Sequence, residues 1–137
     1  PAPAVAASPA ATWTDPATGL MWTKKDNGSD VTQPQAMEYC RDLRLAGHGD
    51  WRLATIDELQ GIYDPSIDIP GHCCNGPGNV TFHVKGNLQL SGWHWSSSPD
   101  NESTAAWRFG FNNGELYSNR LGVSWIGRAL CVRRSGE

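Results

Sequence analysis

Apolar positions fall in short blocks separated by turn-forming residues. Trp13-Thr14 and Leu20-Met21-Trp22 flank Asp15-Pro16-Ala17-Thr18-Gly19. Pro and Gly in that gap are turn formers, so the blocks predict a hairpin. A polar loop follows from Lys24 to Asp30. Thr32 then has the chemistry of a helix N-cap, with Pro34 in the first turn. Ala36, Cys40 and Leu43 recur at helical spacing and predict one buried face, which turns Cys40 toward the core. Gly47 and Gly49 are the expected end of this helix. Trp51-Arg52-Leu53 is a short apolar block. Thr55-Ile56-Asp57-Glu58 opens a second helix as a capping box, in which Thr55 caps the amide three residues on and Glu58 reaches back. Ile56, Leu59 and Tyr63 share a face, and Asp64-Pro65 is the expected stop. Asp57 and Glu58 thus have local structural roles, and no base or nucleophile lies beside them.

The stretch from 64 to 92 has little regular pattern and predicts a long loop region, with one short strand at Val80-Phe82-Val84. Regularity returns in the last third. Trp93 and Trp95 share parity, so both are expected in the core, with His94 pointing outward. Trp107, Phe109 and Phe111 alternate as one face of a half-buried strand, and Arg108 and Gly110 face the other way. Asn112-Asn113-Gly114 is a turn signal. Arg128 to Arg134 reads as a last strand bearing Cys131. Between them, Glu115 to Ser124 is polar and shows no regular period. An aromatic frame around an irregular polar surface is how many recognition modules are built.

Composition narrows the class. A chain of 137 residues suits one domain. The Pro/Ala-rich residues 1–11 read as a linker or stalk following a cleaved signal or an upstream domain, and 12–137 as the folded domain. A net charge of −3 carries no nucleic-acid footprint. No apolar run reaches the ~20 residues of a membrane span, so no membrane insertion by this domain is expected.

Four cysteines in a short chain fit an oxidising compartment. Cys40 lies on a helix face and Cys131 in the terminal strand, and pairing them would tie the first helix to the last strand. Cys73 and Cys74 are adjacent. If the other two pair, they form a vicinal bridge or stay free. A zinc site from His72, Cys73, Cys74 and His83 is the rival reading. Zinc favours such ligands, but adjacent cysteines reach one tetrahedron poorly and no Cys-x-x-Cys spacing is present.

Several of these segments together carry a resemblance. Thr12-Trp13-Thr14-Asp15-Pro16-Ala17-Thr18-Gly19-Leu20-Met21-Trp22, Ala36 to Cys40, Gly47-His48-Gly49-Asp50-Trp51-Arg52-Leu53-Ala54-Thr55, Glu58-Leu59, Trp95-Ser96-Ser97-Ser98 and Cys131-Val132-Arg133 resemble the C-terminal domain of Legionella collagen-like protein. The resemblance covers residues 12–134. It implies an α+β, C-type lectin-like fold, with two helices packed on small antiparallel sheets and long loops. It implies the Cys40–Cys131 disulfide, and a secreted, periplasmic or cell-surface protein. The collagen-like adhesin of this family binds sulfated glycosaminoglycans as a trimer, and some relatives are variable proteins of diversity-generating retroelements. The chain departs from the family pattern at Ala54, where Pro is usual, and near Gln33-Pro34, where an aromatic is usual. It also lacks the Glu-Pro-Asn and Gln-Pro-Asp triplets of calcium-dependent lectins, and Trp93-His94-Trp95 stands where a Trp-Asn-Asp would. No lectin-type calcium site, other metal or cofactor is therefore expected.

The expected function is an adhesin-like binding module for an extracellular glycan or protein. Its expected ligand-binding residues are Arg108, Glu115, Tyr117, Asn119, Arg120 and Trp125. Tyr, Trp and Arg dominate binding hot spots, and a strand should present Arg108 away from the aromatic stripe. A polyanion would need Arg108, Arg120, Arg128, Arg133 and Arg134 to converge. Two alternatives stand beside this reading. One is an enzyme related to formylglycine-generating proteins, for which Cys73 and Cys74 are the one cysteine pair at hand. The other is a structural cap that trimerises a surface fibre.

Overall fold

The computed structural model describes residues 11–72, 79–100, 102–124 and 127–134. The linker assigned to 1–11 therefore lies outside the described residues except for Ala11, as do Cys73, Cys74 and Trp125.

The predicted hairpin forms as β1 (Thr12–Thr14) and β2 (Leu20–Thr23), with Trp13 opposite Trp22. Helix α1 (Gln33–Asp42) starts at Thr32, and Gln35 completes a second capping box. The helix stops at Asp42 and not at the glycines. Leu43 leaves in extended conformation, and Gly47, at φ 82°, serves a tight turn that brings Leu45 against His48. After β3 (Arg52–Leu53), helix α2 (Ile56–Gly61) starts at Thr55 with the predicted box. Arg52 locks that box from outside, since its guanidinium holds both Glu58 oxygens at 2.8 and 2.7 Å. Helix α2 ends a turn before Asp64-Pro65.

The expected long loop is more ordered than its pattern. It holds a hairpin of β4 (Ile69–His72) and β5 (Asn79–Phe82), then a 3-10 turn at Lys85–Asn87. Pro70 and Gly71 mask β4 in the sequence. A two-stranded ribbon tolerates them because each strand has one unpaired edge. The last third forms β6 (His94–Asp100), β7 (Glu102–Gly110), β8 (Glu115–Arg120) and β9 (Cys131–Arg134). Strand β8 corrects the expectation of an irregular stretch. It is an edge strand with no fully buried residue, so no apolar alternation announces it, and backbone pairing to β7 carries it.

The molecule is thus mixed α+β, with two helices and small antiparallel sheets of order β1-β2-β9-β3, β4-β5 and β6-β7-β8. Two apolar clusters fill it. Trp22, Leu59, Ile62, Phe82, Val84, Leu88, Phe109, Phe111 and Leu130 make the first. Ala36, Cys40, Trp51, Leu53, Trp95, Ala106 and Cys131 make the second. Cys40 and Cys131 are disulfide-bonded inside the second cluster, with Cα atoms 5.4 Å apart. The residues before β9 run beside β6, where Trp95 N–H donates to Arg128 O and Arg128 N–H to Trp93 O. Gly127 is obligatory there, because a Cβ would stand 2.6 Å from the Trp95 ring.

His94 corrects a second expectation. It does not point outward but is fully buried, because β6 is covered on both faces. One face carries Trp95 into the second cluster. The other sets His94 against the Phe111 ring at 5.7 Å.

The disulfide spans 91 residues of sequence. The Cys40→Ala/Cys131→Ala double variant should therefore lose about 3–5 kcal/mol of unfolding free energy, read from the urea midpoint.

Candidate functional site

Strands β7 and β8 decide which predicted residues meet. Their register sets Gly110 opposite Glu115, Arg108 opposite Tyr117 and Ala106 opposite Asn119. Directly opposed residues share a sheet face, and alternate residues along a strand do too. Arg108, Glu115, Tyr117 and Asn119 are therefore brought onto one face. Arg120, opposite Ala105, falls on the other face.

Arg108 is placed differently from its expectation. It is only 7% exposed. Its guanidinium carbon lies 5.2 Å from the centre of the Trp93 ring and 4.7 Å from that of Tyr117, and Nε donates to Asn119 Oδ1 at 2.8 Å. The face opposite the aromatic stripe is not solvent; two further rings cover it. Burial lowers the pKa of Arg108 below its ordinary value, against the attraction of Tyr117 and Asp30, which raises it. A guanidinium stays protonated under such a shift. Arg108 is thus the floor of the face, fixing two rings and an amide.

Trp93 is the participant that sequence reasoning missed. Its parity with Trp95 assigned it to the core, yet it is half-buried and lies edge-on to Tyr117 at 6.5 Å. Gly110 lets it in, since a Cβ there would stand 2.8 Å from Trp93 Cδ1. The glycine on β7 two residues from Arg108, on the same face, was the available signal. Trp107, expected in the core stripe, is likewise only half-buried, while Phe109 and Phe111 are buried as expected.

The turn adds a polar rim. Asn113 Nδ2 donates to Tyr117 Oη at 3.1 Å and to Glu115 Oε1 at 3.3 Å, and Tyr117 Oη donates to the same Glu115 oxygen at 3.0 Å. Asn113 Oδ1 accepts from the Glu115 amide at 3.0 Å. Glu115 and Tyr117 are therefore pre-oriented by protein groups.

Behind the face, the loop between β2 and α1 is anchored by buried charge. Asp26 Oδ2 accepts from His94 Nε2 and from the Ser91 amide, both at 2.8 Å, and Oδ1 accepts from Ser91 Oγ at 2.6 Å. Arg128 Nη1 donates to Ser91 Oγ at 2.7 Å and Nε to Asp30 Oδ1 at 3.0 Å. Burial raises the Asp26 pKa, but the His94 and Ser91 interactions prevail and hold it at about 2.

The five arginines do not converge on the face. Arg108 is clamped between rings, Arg120 faces away, and Arg128 holds Asp30. Arg133 and Arg134 sit on β9 in another sheet, with Arg133 Nε on Asp50 Oδ1 at 2.5 Å. Of the zinc alternative, the Cys73 and Cys74 portion lies outside the described residues. His83 Nδ1 is 2.9 Å from Ile67 O and 3.2 Å from Asp68 Oδ1.

These features define a small, disulfide-tied α+β domain whose polar-aromatic face is built on a sheet edge. The chain belongs to the family described as the Lcl C-terminal domain, whose model matches residues 11–133. That membership points to a surface-associated module of a collagen-like protein. Comparison with curated proteins finds no match. The Cys40–Cys131 bond fits an extracellular setting. Among the described residues, no helix is long and apolar enough to cross a membrane.

Two outcomes are expected. Arg108→Ala should destabilise the domain by about 2–4 kcal/mol, because two ring contacts and a charged hydrogen bond go together; thermal unfolding reads this. Asp26 is pulled below its ordinary value of 3.8 to about 2. The stability it contributes is therefore complete above about pH 4 and lost as pH falls toward 2, on the order of 2 kcal/mol. Denaturant titrations of wild type and Asp26→Asn across that range should converge at the acid end.

Proposed function

We propose that this domain is a C-type lectin-like, non-catalytic binding module, secreted or displayed at the cell surface, that recognises its ligand through the β7–β8 face. The observation that carries the proposal is the clamped Arg108. A cation held between Trp93 and Tyr117, with its Nε on Asn119, fixes the outward groups before any ligand arrives. Pre-ordering of that kind lowers the entropic cost of association. Tyr117 and Trp93 offer large contact area with few rotors to freeze. Glu115 and Asn119 supply directional hydrogen bonding on either side of Tyr117.

No lectin-type calcium site enters this reading. The face works through aromatic contact and protein hydrogen bonds.

A glycan array and a panel of immobilised extracellular-matrix proteins, screened with the full chain, test the proposal. A ligand is expected whose affinity falls by about 1–3 kcal/mol on Tyr117→Ala, measured well below the lowered melting temperature that loss of its contact with Arg108 brings. A ligand indifferent to substitution of Tyr117, Glu115 and Asn119 would put the site elsewhere.

A further inference from the structure

The hydrogen-bonding capacity left on the β7–β8 face narrows the ligand class, on the reading that this face is the binding surface. Asn113 Nδ2 donates to the Glu115 carboxylate and to the Tyr117 oxygen, which lie 3.0 Å from each other, so the two share one amide hydrogen and the second is left to a ligand. Tyr117 gives its one hydroxyl hydrogen to Glu115 Oε1. Glu115 keeps Oε2, an acceptor with no partner among the described residues. Arg108 can only donate, so the Asn119 atom at 2.8 Å from its Nε is the carbonyl oxygen. The Asn119 NH₂ is the other end of that amide, and it makes no hydrogen bond among the described residues. The Arg108 charge is itself covered by rings. A ligand therefore meets a carboxylate oxygen, a phenol lone pair, the Asn119 NH₂, one Asn113 N–H and the half-exposed rings of Trp93 and Tyr117.

We infer that this face takes an uncharged, hydroxyl-rich oligosaccharide. A hydroxyl donates and accepts, so it serves Glu115 Oε2 and the Asn119 amide equally. The half-exposed rings of Trp93 and Tyr117 give apolar surface for the C–H patches of a sugar. Glu115 and Asn119 are four residues apart on one strand, roughly 13 Å at the usual rise. That span exceeds one sugar ring, so a chain of sugars engages both ends with Tyr117 between. A sulfate or carboxylate group offers acceptors alone. It matches only the amide donors and meets the charge of Glu115, which lies beside the Asn113 one. A basic peptide suits Glu115 but sets a second cation against rings that already hold Arg108.

Affinity electrophoresis tests this. The full chain is run through native gels cast with dextran, soluble starch or galactomannan, and through gels cast with heparin or chondroitin sulfate. Retardation by a neutral polysaccharide is expected. It should persist at high salt, as an uncharged partner requires. Glu115→Ala and Tyr117→Ala should each weaken it roughly tenfold or more; Glu115→Ala leaves the melting temperature unchanged, and Tyr117→Ala, which uncovers Arg108, is run well below its lowered one. Retardation by the sulfated gels alone, abolished by Tyr117→Ala, would overturn the ligand class while leaving the face as the site. Retardation by none of the five, with a protein ligand lost on Tyr117→Ala, would do the same. Neutral-glycan binding that ignores both substitutions would sink the site itself.

Discussion

The fixing of the C-terminal strand is the constraint on which the other elements depend. Strand β9 lies between β2 and β3 in the four-stranded sheet, so it joins segments from the start and the middle of the chain. Its Cys131 is bonded to α1. The residues just before it lie along β6 and receive the loop after β2, through Asn27 N–H to Ala129 O and Val31 N–H to Gly127 O. One short segment thus closes the longest loops of the chain. Loop closure is an entropic burden that grows slowly with length, and a single covalent tie removes much of it from the unfolded ensemble.

A chain of buried and half-buried polar groups then connects this hub to β6. Arg128 precedes β9 and binds Asp30 and Ser91. Ser91 binds Asp26, and Asp26 binds His94 in β6. Such chains are stiff when their members are paired, because each unpaired alternative leaves a buried charge without compensation. In the neighbouring strand β7, Arg108 is held from the sides by Trp93, Tyr117 and Asn119.

Local signals in the sequence located the elements they act on. Thr32 and Thr55 began both helices because capping depends on neighbours within one turn. The Pro/Gly gap between Trp13 and Leu20 produced its hairpin for the same reason. The hidden elements owe their existence to pairing at a distance. Strand β8 has no apolar period to read, and β4 contains Pro70 and Gly71. The side of a strand that faces a second layer was also illegible. His94 and Arg108 alternate correctly with their neighbours, yet both are buried, since period-two patterning separates two faces without saying that either meets water. Of the six proposed contact residues, the register of β7 with β8 gathers four. Parity alone would have set Arg120 apart from Tyr117, and Trp93 was hidden by its resemblance to a core tryptophan.

The burial pattern of β8 bears on how such a domain diverges. Its side chains contribute to the surface and almost nothing to either apolar cluster, while its place is kept by main-chain bonds to β7 that any non-proline residue makes. Replacement along Glu115–Arg120 is therefore cheap for the fold except at Tyr117 and Asn119, which hold Arg108. Inheritance can rewrite that strand while the disulfide, the cores and the buried salt links stay constant. Packing and the proposed recognition face thus meet at Tyr117 and Asn119 and are separable along the rest of the strand.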